Sequence, residues 1–261
     1  MLGAAWAVAA CSDSVSPGPE NGSPPSPSDT IWDVRVVADW PHSTASFTQG
    51  LIWVDTALVE GTGLYGGTSW LRRVDLTTGV AIQERTTPAF GEGVTQVGDR
   101  IVQLTWLSRA AYVYDAASFD SLDTFGYATQ GWGLTHDGRR FIMSDGTDTL
   151  YFRDFDTFAE TGRVAVTHDG APVRFLNELE YIDGRVYANV YQSDWIVIVD
   201  PANGHVVGRI DGSPLRALAG IPADETSRVL NGIAWDAAAR RLLVTGKLWP
   251  KLFHIELELR E

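Results

Sequence analysis

The sequence predicts an all-β fold, a five-bladed β-propeller, and three observations lead to this prediction. The chain of 261 residues contains 26 Gly, 12 Pro and 10 Trp, a composition that favours short strands and tight turns over helices. One sequence pattern recurs five times, at intervals of about 43 residues. A strand-like run stands before the first copy, and the last copy is one strand short.

The recurring pattern is a polar or aromatic residue, usually followed by Gly and an apolar residue. The five copies are Gln49-Gly50-Leu51, Glu92-Gly93-Val94, Trp132-Gly133-Leu134, Asn177-Glu178-Leu179 and Asn231-Gly232-Ile233. Further apolar runs separated by turns follow each copy, which predicts four antiparallel strands per unit with the innermost strand first. A pair of β-sandwiches is the alternative fold, but it does not explain a period that recurs five times.

The fifth unit ends after its third predicted strand, Lys251–Leu257. The run Ile31–Val37 is apolar at alternate positions and supplies the missing fourth strand. We therefore expect the N-terminal strand to pair with the last blade, which closes the ring and protects its edges. The propeller, as the catalytic domain, is predicted over residues 30–261.

The first 29 residues are predicted to lie outside the propeller. Residues 1–11 are small and apolar and end at Cys11, the sole cysteine, in a pattern that resembles a bacterial lipoprotein signal without its basic n-region. A random Ala-rich leader is the alternative. Residues 12–29 form a Pro/Ser/Gly linker. We expect lipidation of Cys11 to anchor the chain in the bacterial cell envelope, periplasmic or extracellular, as its one contact with a membrane.

Composition also excludes several classes of function. The net charge of −13 argues against a nucleic-acid partner, which would need a basic face. The five histidines are scattered without metal-ligand spacing, and the chain has no Gly-x-Ser-x-Gly elbow and no phosphate-binding Gly-Lys-Ser/Thr loop. A metal, serine or thiol mechanism therefore has little support. We expect a monomer.

The register of the repeat brings the first residue of each copy to one mouth of the central channel. Glu92 is the one carboxylate among these five equivalent positions. Residues after the second strands are expected at the same mouth: residues 61–63, Trp106, Asp145, Tyr191 and Lys247. A carboxylate, amides, aromatic rings and an ammonium group would suit a small polar ligand that carries an amine and an amide.

Structural roles remain open for each of these residues. Trp106 and Trp132 would also fit inter-blade packing. Lys247 could extend its ammonium group to solvent along an apolar surface. Glu92 could accept hydrogen bonds from backbone amides of a neighbouring blade. Two further carboxylates, Glu178 and Glu180, could be surface or structural charges.

Several long phrases resemble the plant and bacterial glutaminyl cyclases (glutamine cyclotransferases). Among them are Phe47-Thr48-Gln49-Gly50-Leu51, Phe90-Gly91-Glu92-Gly93, Gly131-Trp132-Gly133-Leu134, Leu176-Asn177-Glu178-Leu179 and Gly246-Lys247-Leu248-Trp249. The resemblance covers about residues 40–255 in collinear order. The family fold is a five-bladed propeller, which agrees with the repeat argument.

The resemblance implies an acyltransferase that converts N-terminal glutamine of peptides and proteins to pyroglutamate and releases ammonia, without catalytic zinc. Glu92 matches the family's catalytic acid/base, and we expect Asn177 and Lys247 to stabilise the oxyanion. The expected substrate-binding residues are Phe47, Gln49, Phe90, Trp106, Trp132 and Tyr191. Tyr191 departs from the Trp that is usual in the family, and Gly61 replaces a usual Ser.

Two other functions stay open at this point. One is a non-catalytic, peptide-binding propeller. The other is a calcium-dependent propeller hydrolase of the lactonase type, for which Asn177, Glu178 and Asn231 could supply some ligands. We expect no required cofactor, and a structural calcium ion in the central channel is left open.

Overall fold

The computed structural model describes residues 30–64 and 67–261. The predicted signal, the linker and Cys11 lie outside these residues. Within the described part the fold is all-β and propeller-like, which confirms the predicted class, and it contains one short helix, α1 (Ser213–Leu218). No helix in this part is long and apolar enough to cross a membrane.

Five inner strands contact one another in a ring within the described residues. They are β2 (Thr48–Val54), β6 (Gly91–Val97), β10 (Leu134–His136), β16 (Leu176–Ile182) and β20 (Leu230–Asp236). Four of them begin one residue before a copy of the repeated sequence pattern and β10 begins at the last residue of its copy, so the repeat predicted the inner strands correctly. The ring closes where β20 packs against β2.

Each inner strand starts an antiparallel sheet. The second strands are β3 (Ala57–Thr62), β7 (Arg100–Thr105), β11 (Phe141–Ser144), β17 (Arg185–Val190) and β21 (Arg241–Gly246). The third strands are β4 (Ser69–Val74), β8 (Ala110–Asp115), β12 (Thr149–Arg153), β18 (Trp195–Val199) and β22 (Lys251–Leu259). The fourth strands are β5 (Ala81–Thr87), β9 (Ser121–Gly126), β13 (Glu160–Ala165) and β19 (Val206–Asp211), and a short ribbon of β14 (Thr167–His168) and β15 (Ala171–Pro172) follows β13.

The N-terminal strand β1 (Ile31–Pro41) completes the last sheet, as the sequence predicted. It pairs antiparallel with β22, from Trp32 opposite Leu259 to Pro41 opposite Lys251. The strand is longer than predicted, and its start also pairs in parallel with β19. This second pairing was not predicted, and it joins two four-stranded units into one eight-stranded sheet. One edge of β1 is therefore covered along the strand, and the other is covered at its start.

The repeated Gly is explained by the close approach of neighbouring inner strands. A Cβ atom on Gly50 would lie 2.8 Å from the Cα atom of Gly93, and one on Gly93 would lie 2.7 Å from the carbonyl carbon of Gly133. Both distances are too short for a van der Waals contact, so a side chain does not fit there. The register shifts at the pattern in four inner strands, as between Gly91 and Val94. Such β-bulges change the direction in which the polar side chain beside the Gly points.

Apolar side chains fill the space between neighbouring sheets. In one cluster, Ile142 and Leu150 of one sheet pack with Leu179 and Val186 of the next. Because burial of this area supplies most of the favourable free energy of folding, it holds the inner strands rigidly around the channel.

Candidate active site

One cavity of about 150 Å³ lies at a single mouth of the channel. Its lining consists of Phe47, Gln49, Phe90, Glu92, Trp106, Trp132, Asn177, Tyr191 and Lys247. These are the nine residues that the sequence predicted for catalysis and substrate binding. The structure therefore brings the whole predicted set together.

Glu92 is the buried carboxyl group of this cavity. Its side chain is 4% exposed, and its Oε1 accepts a hydrogen bond from Gln49 Nε2 at 3.3 Å. Burial raises the pKa of Glu92 well above its ordinary value, and the charge of Lys247 opposes this effect only in part. A carboxyl group with a raised pKa takes up a proton more readily than an ordinary glutamate and can exchange it with a ligand.

Lys247 is the buried cation of the same cavity. It is 1% exposed, so it does not extend to solvent. Burial lowers the pKa of Lys247 to about 8, although the charges of Glu92 and Glu178 act in the opposite direction. The Nζ atom lies 4.6 Å from the centre of the Phe47 ring and 5.9 Å from that of Tyr191. These aromatic faces stabilise the ammonium group that burial has removed from water.

Gln49 lies between the acid and the cation. Its Nε2 donates to Glu92, and its Oε1 accepts from Lys247 Nζ. Lys247 Nζ also donates to the backbone oxygen of Thr48 at 3.2 Å. One amide group therefore sets the relative position of the two charged groups.

Aromatic rings form the walls of the cavity. Phe90 and Trp106 lie 5.6 Å apart at an interplanar angle of 57°, and Trp132 meets Tyr191 edge to face at 5.5 Å and 88°. Phe47 contacts Phe90 edge to face at 6.5 Å. Tyr191 thus provides a ring wall even though its residue type departs from the family pattern.

Gln130 is a residue of the site that the sequence analysis missed. Its single Oε1 atom accepts hydrogen bonds from both wall indoles, Trp106 Nε1 at 2.5 Å and Trp132 Nε1 at 3.0 Å. One oxygen therefore fixes the orientation of two rings. The signal was present, because Gln130 stands directly before the family phrase that begins at Gly131 and two residues before Trp132.

Asn177 presents an unsatisfied group to the cavity. Within the described part of the chain, its Oδ1 atom is buried and has no hydrogen-bond partner. Its backbone oxygen accepts a hydrogen bond from Ser144 Oγ at 2.7 Å, which fixes the start of β16. Because an unpaired buried acceptor is costly, this oxygen is suited to an N–H group of a ligand.

The register placed Asn231, Asp145 and residues 61–63 at this mouth, but none of them lines the cavity. Asn231 turns to the neighbouring strand, where its Nδ2 donates to the backbone oxygen of Thr48 at 3.0 Å. Asp145 accepts hydrogen bonds from the backbone of Thr147 at 3.1 Å and from the hydroxyl of Tyr151 at 3.0 Å. Asn231 and Asp145 are both explained by contacts that hold the scaffold.

Glu178 and Glu180 are buried, and their contacts are structural. Glu178 accepts hydrogen bonds from the backbone N–H groups of Leu51 at 3.2 Å and Ile233 at 2.8 Å, and Glu180 accepts one from Trp235 at 3.0 Å. Burial raises the pKa of Glu178 and brings that of Glu180 to about 8. These oxygens tie neighbouring inner strands together.

The same carboxylates do not fit a calcium site well. Ca²⁺ needs several converging oxygen ligands. Three of the four carboxylate oxygens of Glu178 and Glu180 already accept backbone hydrogen bonds. Within residues 30–64 and 67–261, no group of three or more His, Cys, Asp or Glu residues is arranged to hold a metal ion.

Comparison with known proteins gives one consistent result. A family model described as glutamine cyclotransferase matches residues 6–257. A glutaminyl-peptide cyclotransferase of Arabidopsis thaliana is 42% identical over 245 residues, which are 92% of this chain and 76% of that protein. The crystal structure of Myxococcus xanthus glutaminyl cyclase matches with a TM-score of 0.84 at 35% identity, over 89% of this chain and 100% of the other.

A more distant structure shares the fold alone. A protein of unknown function from Bacteroides caccae is 11% identical and has a TM-score of 0.50, over 63% of this chain and 66% of its own.

Proposed function

This chain belongs to the glutamine cyclotransferase family, and we propose that it is a glutaminyl-peptide cyclotransferase that uses Glu92 as its general acid and base. The substrates are peptides and proteins with an N-terminal glutamine. The products are an N-terminal pyroglutamate and ammonia.

One observation carries this proposal. A carboxyl group with a raised pKa and an ammonium group with a lowered pKa lie at the two ends of the Gln49 amide, inside an aromatic cavity. Cyclisation needs both groups, because a proton must move between two nitrogen atoms while negative charge develops on an oxygen. Separate structural roles for Glu92 and Lys247 do not explain this arrangement.

The first step is attack by the α-amine on the side-chain carbonyl carbon. The amine must be neutral, whereas its ordinary pKa of about 7.7–8.0 leaves most of it protonated at pH 7. Ionised Glu92 takes the extra proton, and its raised pKa favours this transfer. The aromatic walls hold the side chain folded toward the amine, so the bond forms within one bound molecule.

The second step is the release of ammonia. Protonated Glu92 gives the proton that it took in the first step to the side-chain nitrogen, and the resulting carboxylate accepts a proton from the α-nitrogen. The carbon–nitrogen bond of the side-chain amide then breaks, and ammonia leaves. The oxyanion of the intermediate receives hydrogen bonds from Lys247 Nζ and Asn177 Nδ2. The unpaired Oδ1 of Asn177 accepts an N–H of the substrate.

We propose further that the five inner strands and their sheets are the blades of a five-bladed propeller that acts as a monomer. The reaction uses no zinc or other cofactor, and a structural calcium ion is not needed to form the site. We also propose that Cys11 is lipidated and anchors the enzyme in the bacterial envelope, on the periplasmic or extracellular side. Metabolic labelling with a radioactive fatty acid, compared between the wild type and Cys11→Ser, tests the anchor.

The function is tested by incubating the purified protein with a Gln-peptide and measuring peptide mass. We expect the loss of one ammonia, at the same rate with and without EDTA. A peptide that begins with Asn is the control and should keep its mass. No mass change in the Gln-peptide would overturn the cyclase proposal, and activity that EDTA abolishes would overturn the metal-free mechanism.

A further inference from the structure

A groove of about 750 Å³ lies beside the active-site cavity. One side is the turn after β17, with Gln192 and Asp194, and the other is α1 and the segment before β20, with Ala217 and Glu225. The interval between the fourth and fifth copies of the repeat is 54 residues, the longest of the four, and the additional residues form this second side. The longest interval of the repeat therefore forms one side of the groove.

The groove adjoins the cavity at two places. Tyr191 lines the cavity, and the next residue, Gln192, lines the groove. Lys247 lines the cavity, and its backbone N–H donates at 2.9 Å to the oxygen of Val229, which lines the groove. The groove therefore borders the cavity on the side of Tyr191 and Lys247.

We propose that this groove binds the residues that follow the N-terminal glutamine of the peptide. The inference rests on the proposed function. The cavity is large enough for one glutamine residue, so the remainder of a peptide must leave through its mouth. Because the groove borders the cavity, it is the path of exit in this proposal, and contacts along it add to the affinity for longer substrates.

The second side of the groove is held in place by Arg216. Its guanidinium group donates to the backbone oxygens of Pro222 at 3.2 Å, Arg228 at 3.3 Å and Glu225, and it lies 3.7 Å from the carboxylate of Asp194. These bonds fix the segment before β20 against α1. A groove that is already formed needs little ordering when a peptide binds.

The charges of the groove indicate which peptides it favours. The groove carries two carboxylates, Asp194 and Glu225, against one cation, Arg216. The guanidinium group is already engaged with backbone oxygens and Asp194. The net negative charge favours peptides with Lys or Arg after the glutamine over peptides with Asp or Glu.

The test compares a filled groove with a matched control. Ala217 lines the groove, and its neighbour Leu218 on the same helix is exposed outside it. For Ala217→Trp we expect kcat/KM for a six-residue Gln-peptide with Lys at its third position to fall about tenfold, with less than about a twofold change for glutamine amide. Leu218→Trp should leave both values unchanged. Equal losses on both substrates, or no loss on the peptide, would overturn the proposal.

A charge reversal gives a second, independent readout. The wild type should process the Lys-containing peptide about threefold faster than the same peptide with Glu, and Glu225→Lys should reverse this order. Equal rates for the two peptides in both proteins would contradict the assignment. If the wild type released no ammonia even from glutamine amide, the proposed function itself would fail, whereas the outcomes above concern the groove alone.

Discussion

Two buried carboxyl groups on adjacent sheets, Glu60 on β3 and Glu92 on β6, have opposite properties. Glu60 is 2% exposed, and its oxygens accept hydrogen bonds from Ser46 Oγ at 2.9 Å and Thr48 Oγ1 at 2.7 Å. It also pairs with the ring of His42 at 3.0 Å. Glu92 has one long hydrogen bond from Gln49 and otherwise faces the aromatic cavity.

The pKa values of Glu60 and Glu92 are shifted in opposite directions because their partners differ. Burial acts to raise the pKa of Glu60, but the charge of His42 and the surrounding hydrogen bonds lower it overall. For Glu92 burial prevails, and the pKa is raised. At equal burial, the number of partners decides whether a carboxyl group is a fixed charge or an exchangeable proton. This difference supports a structural role for Glu60 and the proposed catalytic role of Glu92.

The largest expected effect follows from Glu92→Gln. The amide keeps the size of the side chain and its contact with Gln49 but cannot move a proton. We expect kcat/KM for a Gln-peptide to fall about 10³-fold or more, while the free energy of unfolding stays within about 1 kcal/mol. Ammonia release and urea denaturation measure the two quantities. If Glu92→Gln kept the activity of the wild type, Glu92 would not differ from Glu60 in the way proposed.

Glu60→Gln should show the reverse pattern. Removing one partner of a buried ion pair leaves His42 uncompensated, so we expect a loss of about 3 kcal/mol in the free energy of unfolding. Activity per folded molecule should change little. Urea denaturation of both proteins measures the loss, and a loss of activity without a loss of stability would contradict the structural role.

The pH dependence of this stability difference has a defined sign. Burial acts to lower the pKa of His42, but the Glu60 carboxylate raises it overall above 6.5, so this stabilisation disappears as the pH rises through the raised value. The lowered pKa of Glu60 stabilises the fold above pH 4.5, and the effect is lost as the pH falls through that lowered value. The difference between wild type and variant should therefore be largest between pH 4.5 and 6.5.

Lys247→Met tests the cation beside Glu92. We expect kcat to fall about 10²-fold, because one donor to the oxyanion is lost. In the wild type, kcat/KM should decline above about pH 8, where Lys247 loses its proton. The variant should lack this decline, and its acid limb should move to higher pH because Lys247 lowers the pKa of Glu92. If the wild type and Lys247→Met had the same acid and alkaline limbs in their pH profiles of kcat/KM, Lys247 would have a packing role only.

Gln130→Met should give a smaller effect, because Gln130 acts on the substrate only through the two indole rings that it holds in place. The variant keeps the volume of the side chain but removes the oxygen that holds Trp106 and Trp132. We expect KM to rise about tenfold with a smaller change in kcat. Gln130→Glu keeps an acceptor for both indoles and should recover most of this loss. If Gln130→Met and Gln130→Glu had the same KM and kcat, the hydrogen bonds from the two indoles to Gln130 would have no role in the site.

Much of the fold and the site could be predicted from sequence because each is tied to a recurring steric demand. The close approach of inner strands requires Gly at the same place in several units, so Gly50, Gly93 and Gly133 marked the strand starts. The departure at Glu92 stood out because the equivalent positions carry no other carboxylate.

Other features could not be predicted, because they depend on contacts between residues without a shared pattern. The pairing of β1 with β19 joins the N-terminal strand to the fourth sheet, and no periodicity indicates it. The pair of His42 and Glu60 and the double acceptor Gln130 arise from side-chain geometry across 18 to 24 residues of chain. Asn231 and Asp145 had the right register but turn to partners in the scaffold.

The pKa of Glu92, raised by burial, is the property on which its proposed role as acid and base depends most directly. Infrared difference spectroscopy between the wild type and Glu92→Gln measures it, through the carbonyl stretch of a protonated carboxyl group. We predict that the band of carboxylic acid that the variant lacks persists in the wild type well above pH 4.5, whereas the band that Glu60→Gln lacks at pH 4.5 is that of a carboxylate. A carboxylic acid band of Glu92 that disappears at or below pH 4.5 would contradict this role.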